Sequence, residues 1–353
     1  MSTIQEQRPE ELTEVDRLGA GHSTLVRRLG NGPIVEHGSV PGYGSIFNAG
    51  LLHHDDIYHL FARGVRVGYR RNDQPGPRFL DYVSDILVFT SPDGVNYTFA
   101  YVLAKAGDAG VACFEDPRVQ RVVSYGHEQI VMTYTNLPPV EGGEPHSIGA
   151  HYLEYDGERF HMIGVRSQHL GPAGVPNKDA VIFNLSDGRV GLLHRVHPDI
   201  QLAVFDNLNH LWNVGPDYWD NYMHDLESHV LLRPTPGALG IGAGAPPVPS
   251  SDGLLLFFHE TAVDGTYTTQ LALLDRYTGQ LIARLPWPVL VPELEWERHG
   301  DVDNVVFVQG AYCDGDNIYL TYGAADRCVA VATTTVKSCL QALRDCATTS
   351  VAA

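Results

Sequence analysis

Glu115 and Asp116 are adjacent carboxylates, followed by Pro117 and Arg118, at the head of a β-like apolar run. A carboxyl group so placed can hand a proton to a leaving oxygen, the step that breaks a glycosidic bond, provided something attacks the anomeric carbon from the opposite ring face. Where water attacks, a second carboxylate must activate it; where phosphate attacks, the nucleophile is already anionic and needs only a cationic cradle. Arg63, Arg195 and His259 lie at the ends of other apolar runs and could supply such a cradle. Arg195 and His259 occupy positions where a hydrolase would want a base.

These residues are far apart in sequence, so the fold must gather them. Polar clusters of the same kind lead into apolar runs at Phe47-Asn48-Ala49-Gly50, Glu115-Asp116-Pro117-Arg118, Lys178-Asp179-Ala180-Val181, Gly244-Ala245-Pro246-Pro247 and Asp303-Asn304-Val305-Val306. The step between them is about 60 to 70 residues, the upper range for elaborated propeller blades. Second runs follow at 57–63, 129–135, 189–195, 254–259 and 318–322, and third runs at 85–90, 149–155, 200–205, 268–274 and 328–332. Tight-turn signals such as Pro92-Asp93-Gly94 and Tyr277-Thr278-Gly279 close most of these. Fourth runs fall at 97–104, 159–165, 229–232 and 281–285, and the fifth unit ends before its own. In a closed ring that strand can come from the N-terminus, and 23–28 or 33–35 could fill the gap.

The pattern predicts an all-β, five-bladed β-propeller over 22–335, with an N-terminal arm over 1–21 and a short C-terminal helix and tail over 336–353. Arm and helix are both free to pack on a neighbouring subunit, which would make a homo-oligomer. Innermost strands converge on one axis, so Asn48, Glu115, Asp116, Arg118, Lys178, Asp179 and Asn304 should meet there, with Arg63, Arg195 and His259 as a further layer. Along a regular strand Glu115 should face away from Asp116. The insertion at 206–229 carries Trp212 and Trp219, which could stack on a leaving sugar or form loop core. His53-His54-Asp55-Asp56 resembles a metal cluster but sits where a hairpin turn belongs.

The composition narrows the partners. The 353 residues are 44% hydrophobic and 19% charged, with 36 Gly and 22 Pro, as expected of a turn-rich globular chain. A net charge of −18, from 42 acids against 24 bases, repels nucleic acid and anionic membrane surfaces, although a few converging arginines can still hold a small anion. The polar N-terminus and the lack of a span of bilayer length predict a cytoplasmic protein. Five cysteines without a CxxC pair argue against a disulfide framework and a structural zinc site.

The motifs Phe114-Glu115-Asp116-Pro117-Arg118, Lys178-Asp179-Ala180-Val181-Ile182-Phe183, His194-Arg195, Gly242-Ala243-Gly244-Ala245-Pro246-Pro247, Leu273-Leu274-Asp275, Asn304-Val305-Val306-Phe307 and Tyr322-Gly323-Ala324-Ala325-Asp326 occur in one order. In this the chain resembles glycoside hydrolase family 130, five-bladed propellers that are mostly β-mannoside phosphorylases. The resemblance implies that Asp116 is the sole general acid, acting through the 3-hydroxyl of the mannose. It implies that Arg195, His259 and Tyr267 hold phosphate, and that Asn48, Arg63, Glu115, Arg118, Lys178, Asp179 and Asp326 bind the sugar. Inorganic phosphate would be a co-substrate, with no metal or organic cofactor. Glu260 follows His259 where the family usually has glycine. Two alternatives stand beside this: a β-mannosidase on the same scaffold, with Glu260 or Asp179 activating water, and a non-catalytic propeller that docks glycans or proteins.

Overall fold

The computed structural model describes residues 25–138 and 145–351. Five antiparallel sheets follow one another along the chain, as expected. Blade one comprises Tyr43–His54, Ile57–Arg66, Ser84–Ser91 and Thr98–Ala104. Blade two is Cys113–Ser124, His127–Leu137, Ser147–Tyr155 and Phe160–Leu170. Blade three is Lys178–Asn184, Val190–Arg195, Ile200–Phe205 and Val230–Leu232. Blade four has a split innermost strand, Gly240–Ala243 and Val248–Pro249, then Leu254–Thr261, Tyr267–Leu274 and Leu281–Arg284. Blade five is Val306–Asp314, Asn317–Ala324 and Cys328–Thr335.

The N-terminal segment supplies the missing edge: Arg27–Leu29 pairs antiparallel with 331–333, and Val35 bridges Val329 beside it. Arg28 fixes this closure. Its guanidinium donates to both carboxylate oxygens of Glu297 at 2.7 and 2.8 Å, to Glu293 at 2.7 Å and to the Val291 carbonyl at 2.6 Å. The Tyr322 hydroxyl donates to the same Glu297 at 2.9 Å.

Among the described residues each pair of adjacent blades encloses its own apolar cluster, five in all, which is the packing expected of a closed ring. Phe61, Phe114 and Phe160 lie between blades one and two; Val181, Ile241 and Phe258 lie between three and four. Strands covered on both faces need apolar residues at successive positions, which explains runs such as Leu254-Leu255-Leu256-Phe257-Phe258.

The C-terminal helix, Val336–Val351, is seated on its own chain through Cys339, Leu340 and Leu343, against the cluster shared by blades four and five. The insertion is no open loop. It folds into Leu208–Asn213 and Pro216–His224, burying Trp219 and Tyr222 in the cluster between blades two and three. The arm at 1–21 lies outside the described residues. No helix among the described residues is long and apolar enough to cross a membrane.

Candidate active site

In blades one to three the polar clusters lie within the innermost strands, at bulges, rather than ahead of them. In blade one the register steps from Phe47 opposite Arg63 to Ala49 opposite Ala62; in blade two from Glu115 opposite Thr135 to Arg118 opposite Thr133; in blade three from Lys178 opposite Arg195 to Val181 opposite Leu193. The displaced residue takes a left-handed backbone: Asn48 at φ 48°, Asp116 at 51° and Asp179 at 56°. Asn and Asp are the side-chain-bearing residues that tolerate this region best, so the conformation and the chemistry select the same residue types. In blade four the Gly244 to Pro247 stretch interrupts the strand, since proline removes ladder donors.

On one side of the axis the acids gather on a single guanidinium. Asn48 Nδ2 donates to Asp116 Oδ1 at 2.9 Å, and Arg63 Nη1 donates to the same oxygen at 3.2 Å. The other Arg63 amino group donates to Glu115. Glu115 therefore does not face away from Asp116, because the bulge breaks strand alternation between them. Phe47 and Tyr82 cover the Arg63 guanidinium at 4.8 and 5.2 Å. Burial raises the Glu115 carboxyl, opposed by Arg63 and reinforced by Asp116. Asp326, itself left-handed at φ 50°, is pushed up to about 7 by burial, against the pull of Arg63 and with the added repulsion of Asp116.

On the other side Asp179 is the hub for cations. Its Oδ2 lies 3.2 Å from Arg195 Nη1 and 3.7 Å from His259 Nε2, and its Oδ1 accepts from Arg118 Nη2 at 3.1 Å. Burial alone would raise this carboxyl, but the attraction of Arg195, His259, Arg118 and Lys178 outweighs it and holds the group well below the usual range. Burial pushes the His259 imidazole down to about 3, so the ring is neutral at pH 7. Its ring packs 4.3 Å from Phe307 and 5.9 Å from Tyr267, and among the described residues Nδ1 has no hydrogen-bond partner. Arg195 and Tyr267 keep exposed surface, whereas His259 is enclosed.

Arg118 joins the two sides. Expected among the sugar ligands, it is 1% exposed and spends its donors on the Asp116 carbonyl, Asp179, and the Ala243 and Gly244 carbonyls. It therefore positions Asp116 and Asp179 from within the protein. Lys178 is half-buried on the same bulge as Asp179, and its charge acts on Glu115, Asp179 and His259.

Other sequence candidates sit apart from this centre. Asn304 is left-handed at φ 58° but exposed, and its carbonyl takes the Tyr267 N–H at 2.9 Å. Trp212 donates to the Tyr152 hydroxyl at 2.8 Å, and Tyr222 shares a 2.9 Å hydrogen bond with His194. The insertion thus braces the strand that carries Arg195, and Trp219 is buried in that packing rather than offered for stacking. His53 to Asp56 form a tight turn, both aspartates left-handed, with His53 stacked on Tyr312. Glu260 is paired with Arg284 at 2.7 Å and takes the Thr235 N–H at 3.0 Å.

Sequence reasoning missed Gln309, Tyr82 and His146. Gln309 fills the bulge of blade five and donates to the Asn48 and Pro117 carbonyls at 2.7 and 2.8 Å, tying both acid-side bulges together. The repeat pattern pointed instead to Asn304, which lies just ahead of that strand. Tyr82 lies on a connection with no strand signal, and His146 on the approach to a strand, where Lys178 and Arg195 help burial push its imidazole down to about 4.

Over residues 25–345 the chain matches the glycoside hydrolase family 130 description, given as beta-1,4-mannooligosaccharide phosphorylase. A beta-1,2-mannobiose phosphorylase from a Thermoanaerobacter species is 30% identical, the alignment covering 82% of this chain and 89% of the relative. A 1,2-beta-oligomannan phosphorylase from the same organism is 27% identical over the same shares. Among solved structures, the beta-1,2-mannobiose phosphorylase from Listeria innocua, in complex with beta-1,2-mannobiose, superposes with a TM-score of 0.69 at 20% identity, covering 90% of this chain and 99% of that one.

Proposed function

Since the chain belongs to glycoside hydrolase family 130, we propose that it is an inverting β-mannoside phosphorylase, which cleaves a β-mannosidic bond with inorganic phosphate and releases α-mannose 1-phosphate. Asp116 supplies the proton through the mannose 3-hydroxyl to the glycosidic oxygen. A phosphate oxygen attacks C1 from the opposite face, the C1–O bond breaks, and the leaving sugar departs with the proton. Arg195 and Tyr267 hold the phosphate at the accessible edge, and the free Nδ1 of the neutral His259 adds a contact. Asn48, Arg63, Glu115, Lys178, Asp179 and Asp326 orient the mannose directly or through one another. The reading needs no cofactor beyond phosphate as co-substrate.

One observation carries the choice of phosphate over water: the two carboxylates that the sequence offers as bases for water, Asp179 and Glu260, are both ion-paired. Asp179 is held between Arg118 and Arg195, and Glu260 is held by Arg284 and Thr235. A base must be free to take a proton, whereas an anionic nucleophile only needs the cations that remain.

The test is incubation of β-1,2-, β-1,3- and β-1,4-mannobioses with and without phosphate, scoring mannose 1-phosphate and its anomeric form by NMR. Turnover should require phosphate, and Asp116→Asn should lower it by at least about 100-fold with the fold intact. Free mannose released equally with and without phosphate would establish hydrolysis instead. Binding of mannosides without turnover would indicate the docking propeller.

A further inference from the structure

Two strands of blade five, Val306–Asp314 and Asn317–Ala324, meet the bulge that carries Asn48 at three points. The Gln309 amide nitrogen donates to the Asn48 carbonyl at 2.7 Å, and the Thr321 hydroxyl donates to the Ala49 carbonyl at 2.8 Å. Gly323 lies against the Asn48 side chain: a Cβ there would collide with Oδ1 and stand 2.9 Å from the Asn48 nitrogen and 3.0 Å from Cγ. Gly323 does not have positive φ, so it is the close approach, and not the backbone, that calls for glycine here.

The same amide reaches blade two. Gln309 Nε2 also donates at 2.8 Å to the carbonyl of Pro117, the residue after Asp116. Gly50 lets the two bulges close on each other, since a Cβ on it would lie 2.6 Å from that same carbonyl oxygen. Both acceptors are carbonyls, so the amide must turn its nitrogen toward them. Gln309 is completely buried, and its Oε1 has no hydrogen-bond partner among the described residues. Leaving a buried amide oxygen unpaired is costly, and the nitrogen of this side chain serves only to fix the separation of the two bulges.

That separation sets the reach of Asn48 to the acid. Asn48 Nδ2 and Arg63 Nη1 both donate to Asp116 Oδ1, at 2.9 and 3.2 Å, and two N–H donors occupy both lone pairs of that oxygen. Oδ2 has no hydrogen-bond partner among the described residues, and the side chain keeps 10% of its surface exposed. A proton on Asp116 therefore sits on Oδ2. When Asn48 shifts, Oδ1 loses one of its two donors, and the carboxyl is no longer held to a single orientation.

Building on the reading of Asp116 as the proton donor, which phosphorolysis shares with its hydrolytic alternative, we infer that Gln309 and Gly323 are positioning residues for the proton transfer. From blade five they hold Asn48, and through Asn48 they hold the Asp116 carboxyl so that Oδ2 gives up its proton toward the mannose 3-hydroxyl and the glycosidic oxygen. As the C1–O bond breaks, the leaving sugar takes that proton and Asp116 is left as the carboxylate. Both positioning residues are buried, so neither reaches the sugar itself.

The experiment compares two leaving groups in the full chain and in Gln309→Met, Gly323→Ala and Thr321→Val. The leaving oxygen of a β-mannobiose must be protonated, whereas a 2,4-dinitrophenyl β-mannoside releases a stable phenolate and needs no acid. Gln309→Met keeps the length of the side chain and removes its donors, and Gly323→Ala pushes on Asn48 directly. Each should lower kcat on the mannobiose by about 10- to 100-fold and on the aryl mannoside by less than about threefold, with the KM for phosphate unmoved. Thr321→Val removes a like bond one residue along and should leave both rates near native. Equal losses on the two substrates, native rates on both, or the same selective loss in Thr321→Val overturns the inference and leaves phosphorolysis standing. Should one of the two positioning variants fail to fold, the other decides alone. Should the native protein not accept the aryl mannoside, the solvent deuterium isotope effect on mannobiose turnover decides: a larger effect in the variants supports the inference, and a native one overturns it. A native protein that turns over no mannoside refutes the phosphorylase reading, and the inference falls with it.

Discussion

Gly242→Ala is a single-methyl probe of the cation hub. Gly242 stands opposite His259 in blade four, and a Cβ built on it would lie 2.3 Å from Asp179 Oδ2 and 2.4 Å from His259 Cε1. Carbon contacts are comfortable at about 3.5 to 4.0 Å, so something must move by roughly 1 Å. Gly242 does not have positive φ, so the backbone itself accepts alanine and the clash is the whole effect. Asp179 cannot retreat freely, being held by Arg118 and Arg195, and His259 is packed against Phe307. The displacement therefore passes to Arg195. Overpacking of this kind costs about 1 to 3 kcal/mol of stability. A 1 Å misplacement of a positioning group lowers rate by about 100-fold. Initial rates with phosphate varied at saturating mannoside, and the reverse, should place most of the loss in the phosphate dependence. A variant with native phosphate kinetics would refute the argument, most sharply if its melting temperature had dropped as expected, because the clash would then be absorbed without disturbing Arg195.

Asp326 makes a prediction about pH. Its carboxyl is pushed up to about 7, whereas an unfolded Asp titrates near 3.9. Between these values the folded chain keeps a proton that the unfolded chain has lost, so this group's contribution to stability falls as pH rises from about 4 to about 7 and is constant above. Asp326→Asn has no such proton to lose, so the melting temperature of the variant relative to the native protein should climb across that window; a constant difference by scanning calorimetry speaks against the raised carboxyl. Arg28→Met leaves the fully buried Glu297 without its cation, and loss of one partner of a buried pair costs about 3 to 5 kcal/mol. A denaturant midpoint close to the native one would mean that the N-terminal strand does not close the ring in this way.

The blade pattern was legible because of where each strand sits. Interior strands touch apolar neighbours on both faces, so 254–258 and 181–183 are continuous apolar runs, and turn chemistry marks where they stop. The missing fourth strand of blade five was legible as a deficit, and closure supplies it from the N-terminus. What the pattern could not yield was any contact decided by the third dimension alone. Trp219 and Tyr222 look the same in sequence whether they stack on a sugar or on a blade, and only the packing of 208–224 against the second and third blades decides between them. The small hairpin that Arg70–Arg71 and Phe79–Leu80 form leaves little trace because strands of two residues show no alternation to read.

The orientation of Glu115 was missed for a more instructive reason. The alternation rule assumes a regular strand, and Asp116 is where the strand stops being regular. Its left-handed backbone lets two successive carboxylates reach the same Arg63, which a flat strand would forbid. Asn48 and Asp179 repeat the device in the neighbouring blades. Each of these residues does two jobs, since a short polar side chain eases the left-handed turn and also presents the functional group. That ties the choice of mutant to the backbone. Asparagine at 116 removes the acid and keeps the turn, whereas alanine adds a left-handed strain of about 1 to 2 kcal/mol, so a loss of activity in Asp116→Ala alone would not separate chemistry from geometry.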